Sequence, residues 1–297
     1  MINVLLTLPE FGYDIFIELL GATIVFFAGI FFGVFRDRLY KQRVHNATRL
    51  TINSKDENTF FRCYYANSGL VDSEEATGIG YHFEYMSHAN MVNYLLSINK
   101  NVEIDSKIGP LFVKDIGKYH LTSNVIIYGG PFHNLITGLV FGLTKEYHNV
   151  PFYFDYYGEE AAALYHVGDE QKPYVPSMNP DKTYYSNDYG IIINVVNPYN
   201  TKKRIIAFIG CRSIGVYGAS FYFTNSAKEL KKRTKGMENY VAIVKCGGDE
   251  DNITGDVILK NVYEIDEIDE TKITNAHLKD IKRATSKQKK LKKNNNE

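Results

Sequence analysis

The sequence predicts an α/β domain carried behind one membrane-spanning helix, and three observations predict it. The first is an uncharged apolar run, LLGATIVFFAGIFFGVF, from Leu19 to Phe35. The second is a short strand, VIIY at 125–128, which ends in Gly129, Gly130 and Pro131 before the helical pattern NLITGLVFGLTKEY. The third is a second copy of that organisation, in which RIIAFIG at 204–210 leads through CRSIGVYGAS into FYFTNSAKELKKR. Strands alternating with helices in this way favour a Rossmann-like, mostly parallel sheet with helices on both faces.

The apolar run is extended beyond Glu18 by Ile15, Phe16 and Ile17, to about the 20 residues a bilayer crossing needs. The reading is a short extracytoplasmic N-terminus at 1–12, a transmembrane helix at 13–35 and a juxtamembrane connector at 36–57. A cleavable signal peptide would open on basic residues, whereas Glu10, Asp14 and Glu18 precede the run and Arg36, Asp37 and Arg38 follow it. Arg36, Arg38, Lys41, Arg43 and Arg49 all lie after the helix, and no Lys or Arg lies before it. The positive-inside rule therefore puts the rest of the chain on the cytoplasmic side of the cell inner membrane, as a single-pass protein. Gly29 and Gly33 form a small-xxx-small pair suited to close helix association. Glu18 is cheaper facing a helix bundle than facing lipid. The same residues read without association as ordinary membrane-helix glycines and a carboxylate reaching the interface.

Formal net charge is zero, which argues against a dedicated nucleic-acid binder. An acidic stretch from Asp249 to Glu270 precedes a basic tail at 271–297. That tail is a solvated end or a contact with anionic lipid. Cys63, Cys211 and Cys246 are too scattered for a disulfide framework or a metal site and point to a reducing compartment.

Within a single domain at 58–270, further strands are expected at Thr59–Tyr65, Phe152–Tyr156, Gly190–Val196, Tyr240–Lys245 and Asp256–Val262. Met91, Val92, Leu95 and Leu96 stand at helical spacing in Ala89–Ile98, and His82 to Met86 extend that helix backwards. The Pro- and Tyr-rich segment from Gly158 to Asp188 reads as a surface excursion with a small hairpin.

Both glycine loops follow strands, where backbone amides at a helix N-terminus can approach an anion. In the first, Gly129 and Gly130 permit tight turns, Pro131 fixes the backbone and Asn134 caps the helix or donates to a ligand. In the second, Gly215 and Gly218 open the helix, Arg212 offers a bidentate donor to phosphate, and Ser213 and Tyr217 add a hydroxyl and a stacking face. Asp188 holds a ribose hydroxyl or caps a turn. Either loop also serves as a strand-to-helix turn with no ligand. No catalytic motif or metal-ligand spacing is present in the sequence, and the histidines fall at no recognisable interval. Glu159 and Glu160 are the best carboxylates for attack at a glycosidic carbon.

VIIYGGPFHN, DYG before a strand with NPYN after it, and GCRSIGVYGAS together resemble the nucleotide-sensing domains of the SLOG group, relatives of the TIR and nucleoside-deoxyribosyltransferase folds. The resemblance covers residues 59 to 265. Its lysine-decarboxylase-like members carry a PGGxGTxxE-type second loop, whereas this chain has Ile214-Gly215-Val216-Tyr217-Gly218 with no following Glu. Their hydrolase activity is therefore not carried over. What the resemblance implies is binding of a nucleotide-derived second messenger, homo-oligomerisation and damage to the bilayer in antiphage defence, with no other cofactor. The alternative is a membrane-tethered N-glycosidase or nucleotide hydrolase using Glu159, Glu160 or Asp188.

Overall fold

The computed structural model describes residues 20–39, 59–65, 77–98, 102–108, 121–131, 134–157, 161–181, 185–247 and 257–268. The chain divides into two units, Met1–Asn46 and Ala47–Glu297.

The first unit contains helix α1, Leu20–Leu39, which is long and apolar enough to cross a membrane. Its 20 residues rise about 30 Å, the thickness of a hydrocarbon core. Phe26, Phe27, Phe31, Phe32 and Val34 are all exposed along it, an arrangement that water penalises and lipid does not. The helix runs past the expected end at Phe35 and takes in Arg36 and Arg38, cations that suit the negative end of its dipole. Residues 1–19 and 40–58, Glu18 and most of the connector among them, lie outside the described residues.

The second unit is built on strands β1 (Thr59–Tyr65), β2 (Val102–Ile108), β3 (Asn124–Tyr128), β7 (Tyr185–Val196), β8 (Arg204–Gly210), β9 (Tyr240–Cys246) and β10 (Ile258–Glu264). Their order across the sheet is β10-β9-β7-β8-β3-β1-β2, with β6 (Ser177–Met178) paired to β7. The expected mostly parallel sheet is corrected here, because the sheet is mixed. β2, β1, β3 and β8 run parallel, whereas β8–β7, β7–β9 and β9–β10 are antiparallel. The physical reason lies in Asn197–Lys203, the short connection between β7 and β8. Parallel neighbours need a crossover of a dozen or more residues, and this turn is too short for one. It is instead closed on itself by Asn197 N–H to Lys203 O at 2.9 Å and Lys203 N–H to Asn200 O at 2.8 Å.

Helices lie on both faces, as expected. Side chains alternate along the central strands. Val125, Ile127, Ile191, Ile193, Ile205, Ala207 and Ile209 join a core with Ile136, Val140 and Phe141 of α3 (Leu135–Phe141). Phe152, Phe154 and Leu164 close that layer. They come from a separate two-stranded sheet of β4 (Phe152–Tyr157) and β5 (Ala161–His166), the hairpin expected in the 158–188 excursion, though it begins earlier. The opposite face carries α2 (Thr77–Ile98) and α4 (Ser213–Asn225). There the ring of Phe223 lies 5.4 Å from Phe208 and 6.0 Å from Tyr94. His88 meets Tyr128 edge-on at 5.7 Å, and burial lowers its pKa to about 4, so it is a neutral core residue at physiological pH.

Two further boundaries differ from the sequence reading. The helix after the first glycine loop stops at Phe141, because Gly142 and Leu143 both adopt positive φ. The second helix starts at Ser213, inside the stretch read as a loop, and breaks at Ser226 before α5 (Ala227–Arg233). Strand β2 was not expected. Its sequence, VEIDSKI, alternates only over its first residues before the polar run Asp105-Ser106-Lys107, and its place at the sheet edge is set by pairing with β1.

Candidate functional site

β3 and β8 are adjacent and parallel, in register from Val125–Ile205 to Tyr128–Phe208. The helices that follow them leave for opposite faces, α3 into the core layer with Phe152 and α4 onto the layer with α2. That divergence is the condition under which open α/β sheets bind ligands beyond the carboxyl ends of their strands. The two glycine loops therefore stand side by side.

The first loop is closed by its own hydrogen bonds. Gly129, at φ +92°, continues the ladder with its amide to Phe208 O at 3.0 Å. An added Cβ at Gly130 would make only an ordinary contact, 3.7 Å from Ile209 Cγ2, and Pro131 beside it is buried. Asn134 is fully buried. Its Oδ1 accepts from Ile136 N at 3.0 Å as the N-cap of α3, while its Nδ2 donates to Tyr128 O at 2.9 Å. Thr137 Oγ1 donates to Gly129 O at 2.8 Å. Of the two roles open to Asn134 in sequence, the capping one is thus visible.

The second loop is shorter than read, consisting of Cys211 and Arg212. Asp188 lies within β7, paired with Cys246 of β9, rather than ahead of the strand as its sequence context suggests, and is fully buried beside it. One oxygen accepts from Tyr189 N at 2.8 Å, and the other from Gly215 N at 2.5 Å. The first turn of α4 thus already holds a carboxylate of the protein's own, which satisfies an amide otherwise left without a partner at the helix start. Burial pushes the Asp188 carboxyl up to about 7, against the downward pull of the two amides and the nearby Arg212 guanidinium. Arg212 is the extended N-cap residue of α4, and its side chain makes no capping bond. Its guanidinium lies 5.3 Å from the ring centroid of Tyr185, a cation–π placement. Arg212 and Ser213 are half-buried.

Gly215 and Gly218 lie within α4 rather than ahead of it, and both permit close packing. A Cβ at Gly215 would strike the Tyr189 carbonyl, and one at Gly218 would sit 2.5 Å from Cys246 Sγ. Tyr217 is buried, with its ring 6.2 Å from Phe83 of α2 and 5.8 Å from Phe221. The structure therefore gathers Asp188, Arg212, Ser213 and Gly215 around one helix start. Tyr217 and Gly218 belong to the packing of α4 against α2 and β9. Glu159 and Glu160 lie outside the described residues.

Tyr185 beneath Arg212, and the two thiols flanking Asp188, escaped the sequence reading. Cys246 Sγ reaches Ile214 O at 3.4 Å and Asp188 O at 3.6 Å, and the Cys211 amide donates to Tyr189 O at 2.9 Å. Burial, then the Asp188 charge, drives both thiols well above their ordinary range. Antiparallel register alone sets Cys246 opposite Asp188, so no sequence signal could have paired them. Among the described residues no cluster of His, Cys, Asp and Glu is arranged to hold a metal. A pocket of about 520 Å³ lies away from both loops, at the β4–β5 hairpin.

No protein-family model matches the chain, and no curated protein or solved structure matches it. The chain combines a mixed-sheet α/β domain with a helix long and apolar enough to span a bilayer.

Proposed function

We propose that the chain is a membrane-anchored sensor whose cytoplasmic α/β domain binds a nucleotide-derived, phosphate-bearing ligand where the loops after β3 and β8 meet. The observation that carries this reading is Arg212, held at the mouth of β8 with its guanidinium against the Tyr185 ring. An Arg fork in that position offers paired donors to a phosphate, and the neighbouring aromatic face suits a base. The parallel half of the sheet, β2-β1-β3-β8, is its Rossmann-like part, and the resemblance to SLOG sensor domains supports the same ligand class. Asp188 tunes the site: an incoming phosphate favours the protonated form of a buried carboxyl that titrates near neutrality.

The basic residues from Arg36 onward support an inner-membrane anchor with the domain in the cytoplasm. Ligand binding would favour a homo-oligomer that perturbs the bilayer, as an antiphage effector does, provided the assembled state binds the ligand more tightly than the single chain. Both oxygens of Asp188 are engaged by backbone amides, so the N-glycosidase or hydrolase reading would rest on Glu159 or Glu160.

The test uses the full chain in detergent, titrated with cyclic nucleotides and cyclic ADP-ribose isomers while binding heat and particle size are followed. Saturable binding with a rise in oligomer size, lost in Arg212→Gln, is expected. Absence of binding by every nucleotide tried, or unchanged binding in Arg212→Gln, overturns it.

A further inference from the structure

The pocket at the β4–β5 hairpin belongs to neither glycine loop. Phe152, Phe154 and Leu164 face the core, so strand alternation carries Tyr153, Asp155 and Tyr165 to the other side. Tyr153 and Tyr165 are direct cross-strand partners. Their rings are parallel within 6° at 5.2 Å. The imidazole of His148, from the loop after α3, lies on Tyr153 at 5.9 Å and 29°. Tyr153, itself buried, thus has Tyr165 parallel to it and His148 tilted against it, and the three rings form one row along the pocket.

Charge around the row is predominantly negative. Asp155 and Glu170 line the pocket with a single ammonium, that of Lys145. The Gly168 amide donates to Glu170 Oε1 at 3.1 Å and fixes that carboxylate. Both tyrosine hydroxyls have pKa values raised by burial first and by neighbouring carboxylates second, Glu170 then Asp155 for Tyr153 and Asp155 for Tyr165. The volume of about 520 Å³ falls within the range of small-molecule sites.

We infer that this pocket binds a planar organic cation, a guanidinium group, laid against the half-buried Tyr165 at the end of the row and held by Asp155 and Glu170. A guanidinium is flat, weakly hydrated and matched to aromatic faces and carboxylates together. A phosphate would meet two carboxylates, and an ammonium, although it too is drawn to aromatic faces, offers no planar fork to the two oxygens of a carboxylate.

The experiment titrates the full chain in detergent with agmatine, with tetramethylammonium and with AMP, by calorimetry and ligand-observed NMR. An acetylated Gly-Arg-Gly amide serves as the peptide-borne form of the same group, and its affinity relative to agmatine tells a free metabolite from a protein side chain. Agmatine or the peptide is expected to bind saturably, with tetramethylammonium and AMP weaker by roughly ten-fold or more. The double variant Asp155→Asn/Glu170→Gln, which alters only half-buried and exposed side chains, is expected to lose affinity by a similar factor. No saturable binding of either guanidinium probe, equal binding of tetramethylammonium, or unchanged affinity in the double variant overturns the inference. Arg212→Gln should leave agmatine binding intact, so failure of the nucleotide reading and failure of this one are separable.

Discussion

Asp188 accepts the amide of Gly215 through one carboxyl oxygen and so ties β7 to the first turn of α4. The other oxygen holds the Tyr189 amide. Removing the carboxyl in Asp188→Ala orphans two buried donors, and a loss of about 2–4 kcal/mol is expected, read from chemical unfolding in detergent. The group also makes stability depend on pH. Its folded pKa, about 7, lies above the unfolded value near 4, so the native state binds the extra proton between them. Its contribution is therefore fully present below about pH 4 and is lost as pH rises to about 7. The stability difference between wild type and Asp188→Asn should decline across that window and level off above it. A difference independent of pH would contradict this account.

Asn134 satisfies the α3 start and the Tyr128 carbonyl at once. Asn134→Ala should cost about 2 kcal/mol, combining a lost cap with a buried carbonyl left unpaired. Asn134→Asp should retain the cap but set a buried carboxyl oxygen against the Tyr128 carbonyl. Both variants should unfold at a lower temperature than the wild type.

Glycines in α4 and α1 should respond differently to the same methyl group. Gly215→Ala drives a Cβ into the Tyr189 carbonyl and Gly218→Ala into Cys246, so each should destabilise by about 1–3 kcal/mol. At Gly29 an added Cβ meets nothing within 4 Å. Gly29→Ala should leave domain unfolding unchanged, while the bulkier Gly29→Ile should weaken the proposed self-association of the helix, as seen by cross-linking in membranes.

All three cysteines are buried and free. Burial, with Asp105 second, pushes Cys63 up to about 12, and Cys211 and Cys246 also lie far above the usual thiol range. At pH 8 the folded protein should leave an aromatic disulfide reagent unconsumed, whereas the denatured chain should consume it in proportion to its 3 cysteines. The thiolate is the reacting form. Rapid reaction of the native protein would show that one of them is exposed.

Features that depend on local pattern are legible along the chain. The apolar run sets α1 because a bilayer crossing is a matter of length and charge along contiguous residues. VIIY, GIIINVV, RIIAFIG and YVAIVK are strands because near-continuous apolar stretches suit a sheet covered on both faces. The glycine turns at 129 and 210 end their strands as read. Tertiary structure decided strand direction, since the Asn197–Lys203 turn is legible as a turn but its consequence, an antiparallel pair, depends on β8 settling between β7 and β3. It also decided that Gly215 and Gly218 serve packing within α4, that Asp188 fills the helix start, and that Tyr153 meets Tyr165. Each of these joins residues distant along the chain or set by strand register, and the sheet brings them together only when the whole core closes.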